Sequence, residues 1–95
     1  MHIGSFSQVQ VTAPDAPIDI SFVLSPINIV SAATDVLFSS IIRKFPDLRF
    51  ALSEGGIGWV PYLIERMDYV YAHHKTWTGR DFGGKLPSQV FNERF

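Results

Sequence analysis

The sequence predicts an α/β fold with a strand set between two helices, and three observations carry that expectation. Ser25–Phe45 repeats apolar residues at helical spacing, Leu48–Ser53 is a short β-compatible run closed by Gly55, Gly56 and Gly58, and Trp59–His74 returns to helical spacing. Helix, strand and helix in that order follow parallel-sheet logic. A strand so placed is ordinarily central and paired on both sides, yet the 95 residues offer no other clear strand. Each backbone group buried without a partner costs ~1–3 kcal/mol. The expectation is therefore a single partial domain over residues 1–95, a fragment of a larger β/α domain incomplete at both ends. Met1-His2-Ile3-Gly4 reads as the last residues of a preceding strand.

The first helix opens at Ser25-Pro26, where a hydroxyl can accept an orphan N–H and proline has none to lose. Ile27, Val30, Leu37, Ile41 and Phe45 form its apolar side, with Thr34 interrupting. Arg43 and Lys44 suit the negative end of the dipole, and Pro46 stops the helix. The second helix carries Pro61 in its first turn and places Val60, Leu63, Ile64, Met67, Val70, Tyr71 and His74 on one face. Thr78–Lys85 reads as a loop, and Ser88 caps a last short helix through Phe91 toward Phe95. Between Ser7 and Leu24 two readings stay open. Ile18, Ile20 and Phe22 alternate like a strand, whereas Asp15 and Pro17 can start a short helix.

Eight Lys and Arg against nine Asp and Glu give a net charge of −1, with both signs scattered along the chain. No basic stripe is present to release counterions from a nucleic acid, and no polybasic segment to hold an anionic membrane. No apolar run approaches the ~20 residues of a membrane span, and MHIGSFSQ lacks the regions of a secretory signal. A soluble, cytoplasmic protein without a nucleic-acid or membrane partner is expected. With no cysteine, disulfides, thiolate metal sites and Cys nucleophiles are excluded, so any metal would be held by His and carboxylates.

Ser53-Glu54-Gly55-Gly56-Ile57-Gly58-Trp59 is the most informative stretch. It sets a carboxylate at the carboxyl end of the expected strand, where α/β folds place their chemistry. Glu54 is there either a proton-transfer group or a dipole partner at a helix start. Gly56-Ile57-Gly58 imitates a dinucleotide fingerprint, but Pro61 stands at the third glycine and Glu54 would repel a pyrophosphate. His2 is a candidate metal ligand, or simply structural. His73 and His74 are adjacent on a helix and do not face the same way, so that pair reads as structural. Asp81-Phe82-Gly83 matches the kinase magnesium tripeptide by letters only.

Phe45-Pro46-Asp47-Leu48, the run LSEGGIGWVPYLIERMD over Leu52–Asp68, Tyr71-Ala72-His73-His74 and Leu86-Pro87-Ser88 resemble the amidohydrolase-related family. This is the metal-dependent branch that includes aminocarboxymuconate-semialdehyde decarboxylase and γ-resorcylate decarboxylase. The resemblance implies a piece of an eight-stranded β/α (TIM-type) barrel, about strands five to seven. It further implies one divalent metal, commonly zinc, in the complete enzyme, with His2 matching the fifth-strand ligand. The position after the sixth strand is often histidine in that family and is Glu54 here, a carboxylate that can act as base or ligand but not as an imidazolium donor. The implied activity is hydrolysis or non-oxidative decarboxylation of a small carboxylate-bearing or cyclic substrate. Glu54 would be its catalytic proton carrier, with Trp59 and Ser53 lining the pocket. The 95 residues alone are expected to be inactive, and the parent a homo-oligomer. The competing expectation is a non-catalytic α/β interaction module or the product of a decayed gene.

Overall fold

A computed structural model describes residues 10–95, and the regular structure among them is helical. Five helices follow in order: α1 (Ile18–Leu24), α2 (Pro26–Phe38), α3 (Ile41–Lys44), α4 (Val60–Thr78) and α5 (Pro87–Arg94). The close packings are α4 on α5, α2 on α3 and α2 on α5.

The expected α/β class, and with it the TIM-barrel fragment of strands five to seven, is overturned. Among the described residues there is no strand or sheet, only an isolated bridge residue at Ser53. The physical reason lies in where the backbone of residues 48–53 finds partners. The Phe50 N–H donates to the carbonyl of Arg94 at 2.7 Å, and the Leu48 carbonyl accepts from Arg94 Nε at 2.6 Å. For Leu48 and Phe50 a helix end meets backbone groups that the sequence reading assigned to absent strands. Met1 to Gly4, the expected preceding strand, lie outside the described residues.

The segment left open in the sequence resolves as α1, which runs into α2 through Ser25 with helical angles of φ −56° and ψ −34°. Pro26 has no N–H to give the Phe22 carbonyl, and the Ser25 hydroxyl donates to that carbonyl instead at 2.9 Å. Ser25 thus bridges two helices and makes no side-chain cap of α2. By length and composition Ile18–Phe38, 21 residues, is long and apolar enough to cross a membrane. This corrects the expectation that no apolar run approaches that length: Asp19, Ser21, Ser25 and Asn28 break the run of letters, but the helical path carries through them.

The expected helix Ser25–Phe45 breaks at Ser39, whose backbone is extended. The Ser39 hydroxyl donates to the Val36 carbonyl at 2.7 Å and accepts from the Ile41 N–H at 3.2 Å, so one side chain serves both helix ends. The inward face of α2 is Ile29, Ala33 and Leu37, one helical turn apart, rather than the expected Ile27, Val30 and Leu37 side. These pack with Ile42, Leu63, Met67, Val90 and Phe91. The apolar stripe expected for α4 does face this core, with Leu63 and Met67 buried and Val60 and Ile64 packed at its edge. Gly79 in the left-handed region ends α4, its N–H returning to the Lys75 carbonyl. Helix α5 begins at Pro87, not at a Ser88 cap. The Asp68 carboxylate of α4 accepts from both the Ser88 N–H, 2.9 Å, and its hydroxyl, 2.6 Å, and so meets the positive end of α5 from outside.

Arg94 joins these parts. It is 7% exposed, and its guanidinium donates to the carbonyls of Ile42 (3.1 Å), Phe45 (2.5 Å) and Leu48 (2.6 Å). Arg94→Met keeps the apolar stem but removes every donor, leaving one buried and two partly buried acceptors unmet. Loss of roughly 2–4 kcal/mol in denaturant unfolding is expected, with Arg94→Lys intermediate. A change within about 0.5 kcal/mol, the range of ordinary surface substitutions, would show that the clamp does not hold the fold.

Candidate functional site: a cationic cleft

The turn from Ser53 to Trp59, where the sequence placed the chemistry, is built by packing. Gly55 is buried against Ile29, and a Cβ there would meet Ile29 Cγ2 at 2.8 Å. Its carbonyl accepts from Trp59 Nε1 at 2.7 Å, so the indole closes the turn and leans on the core. Glu54, at φ +61°, is the non-glycine residue in the left-handed region among those described, and its side chain and that of Ser53 are exposed. The structure thus keeps Ser53, Glu54 and Trp59 close together, but none of them lines the cleft described next. His2 lies outside the described residues.

No group of three or more His, Asp or Glu converges among the described residues. His73 Nδ1 lies 2.8 Å from the Tyr69 carbonyl, and His74 Nδ1 accepts from Trp77 Nε1 at 3.0 Å. The described residues therefore do not fit a metal centre, and no step is derived through one. The Asp81-Phe82-Gly83 tripeptide makes a turn, Asp81 Oδ1 accepting from the Gly83 N–H at 2.7 Å. Phe82 plugs the gap between α2 and α4, edge-on to both Phe38 and Tyr71 at 5.3 Å.

A cleft of about 390 Å³ opens between the α2–α3 corner, the end of α4, the loop after it and the last turns of α5. Arg43, Arg80, Lys85 and Arg94 line it, against Asp81 and Glu93. Four cations against two carboxylates leave an excess of +2 in a chain whose net charge is −1. The ends of α2, α3, α4 and α5 meet here, and their partial negative charge explains why cations gather. The carbonyls of those ends are nonetheless already engaged. Arg80 donates to the Phe38 carbonyl at 3.0 Å, Arg94 takes those of Ile42 and Phe45, and Gly79 takes that of Lys75. Lys85 pairs with both oxygens of Glu93, at 2.9 and 2.8 Å.

Two features are left over. The Arg43 guanidinium is exposed and makes no hydrogen bond among the described residues. Arg94 spends three donors on carbonyls, so two of the five N–H bonds of its buried guanidinium remain, and it makes no ion pair among the described residues. The sequence reading missed this site because its cations come from three separate segments. Arg43 was assigned only to a helix end, and nothing local marks Arg94 for contacts 46 to 52 residues away. No family model, curated protein or solved structure matches the chain.

The Gly55–Ile29 contact is open to a double-mutant cycle. Gly55→Ala is expected to cost ~1–3 kcal/mol by overpacking, and Ile29→Ala ~2–5 kcal/mol by cavity formation. The double variant should lose at least about 1 kcal/mol less than the sum, because the added methyl enters the vacated space. Strict additivity would place the two residues out of contact.

Proposed function

We propose that this chain is a helical ligand-binding module that takes a small anion, a carboxylate or phosphate, in the cleft between Arg43, Arg80, Lys85 and Arg94. The observation that carries the reading is the buried Arg94 guanidinium, which lines a cavity of ligand size with two donors unspent and no ion pair to a carboxylate among the described residues. A volume of about 390 Å³ is at the small end of the ~300–1,000 Å³ of small-molecule sites. Arg43 at the rim supplies a free planar fork for a second pair of oxygens.

Binding rather than catalysis is the reading, since neither hydroxyl of the lining, Ser39 or Thr78, is hydrogen-bonded to a carboxylate or other base among the described residues. The Ser39 hydroxyl is committed to the Val36 carbonyl, and the cleft contains no histidine. The metal-dependent hydrolase or carboxy-lyase expected from the resemblance drew the roles of His2 and Glu54 from barrel strands, and the helical fold removes that alignment. A carboxylate-bearing small molecule remains the proposed partner.

Titration calorimetry with inorganic phosphate and with citrate tests the proposal. Saturable binding that weakens as salt is raised is expected. Arg43→Ala and Arg80→Ala should each weaken it about tenfold, ~1.4 kcal/mol, with far-ultraviolet circular dichroism unchanged. Absence of saturable binding for both anions, or binding indifferent to both substitutions, would sink the assignment.

A further inference from the structure

Helix α1 is apolar on both sides. Ile20 and Leu24 are half-buried on the same half as the buried Ser21, while on the other half Ile18 is 64% exposed, Phe22 69% and Val23 75%. At 100° per residue Ile18, Asp19, Phe22 and Val23 fall together, so a second apolar face points away from the core. Of the most apolar window within Ile18–Phe38 only 17% is buried in this fold. Removing such side chains from water is favourable, and a contiguous exposed apolar face is the kind of surface that interactions use.

A matching surface exists elsewhere on the same molecule. Helices α2 and α4 both reach the core but are not among the closely packed pairs, and they leave a groove of about 280 Å³ between them. Thr34 and Phe38 line one wall and Leu63, Met67 and Val70 the other, with Arg66 at the edge. Arg66 makes no ion pair among the described residues, its guanidinium lying 5.5 Å over the Tyr69 ring. The chain from residue 10 to residue 42 holds no Lys or Arg, and Asp19 is the charge on the outer half of α1.

We infer that α1 of one copy docks in the α2–α4 groove of a second copy, with Phe22 and Ile18 or Val23 entering the groove and Asp19 meeting Arg66, and that the contact is made reciprocally. A chain cannot fill its own groove this way. Phe22 lies 12 to 16 residues before Thr34 and Phe38, roughly 18–24 Å along a helix of 1.5 Å rise, and Ser25 continues that helix without a reversal. Apolar anchors at i and i+4 entering a groove between two helices are an established recognition mode. Reciprocal exchange closes the assembly at two copies.

Sedimentation equilibrium on the full chain, with vesicle flotation alongside, decides the matter. A concentration-dependent dimer is expected. Phe22→Glu, at a site too exposed to support the monomer fold, should abolish it with helix content unchanged. Asp19→Arg and Arg66→Glu should each weaken the dimer about tenfold, and the two together in one chain should restore it to within about threefold, because the pair is rebuilt with reversed sign across the interface. A monomer at all concentrations would overturn the inference, as would a dimer that Phe22→Glu leaves intact or a charge swap without recovery. A monomer that floats with phosphatidylcholine vesicles, and stops doing so on Phe22→Glu, would assign the face to lipid instead.

Discussion

The guanidinium of Arg94 is the point on which three otherwise separate stretches of this chain agree. It takes the carbonyls of Ile42 and Phe45 at the end of α3 and of Leu48 beyond it, while its own backbone carbonyl accepts from Phe50. Arg49 reaches back to the Glu93 carbonyl beside it. A cation this deeply buried is costly unless its donors are met, and a planar fork with five donors suits acceptors arriving from several directions where an ammonium would not. Phe95, stacked on both Phe50 and Phe91, covers the same junction with rings.

That constraint also accounts for the shape of the cleft. With α5 tied to the end of α3, the last turns of four helices are drawn to one side of the molecule. The cations at those ends first answer the carbonyls, and what they do not spend there becomes available to an anion. At the other end of α5 the logic is reversed, where the positive end of the helix is met by the Asp68 carboxylate of α4. Charge placement in this small fold follows helix polarity, and the candidate site is its surplus.

The core is correspondingly modest. Eight hydrophobic residues are buried among those described, drawn mainly from one face each of α2, α4 and α5, with Phe82 wedged between α2 and α4 at Phe38 and Tyr71. Large apolar side chains remain outside, and α1 presents three of them while burying a serine. A helix that keeps a second apolar face outside is coherent when that face meets a surface of its own kind, and the groove left between α2 and α4 beside Phe38 is such a surface.

The sequence by itself determined the features that depend on neighbours along the chain. The apolar stripe of α4, the stop at Pro46 and the glycine turn after residue 53 follow from spacing and backbone freedom, which are local properties, whereas α4 runs to Thr78, four residues past the His74 end that the sequence suggested. Tertiary structure decided the rest. Residues 48–53 have strand-compatible side chains, but whether they form a sheet depends on which groups meet their N–H and carbonyl groups, and the end of α5 is more than forty residues away. The inward face of α2 passed to Ile29 and Ala33 because the Gly55 turn packs there, a contact absent from the periodicity of α2. The resemblance that assigned His2 and Glu54 to a barrel site depended on strands that the described residues do not form. The cationic cleft was illegible for the same physical reason: it is a meeting of helix ends, and helix ends meet only when the chain has folded.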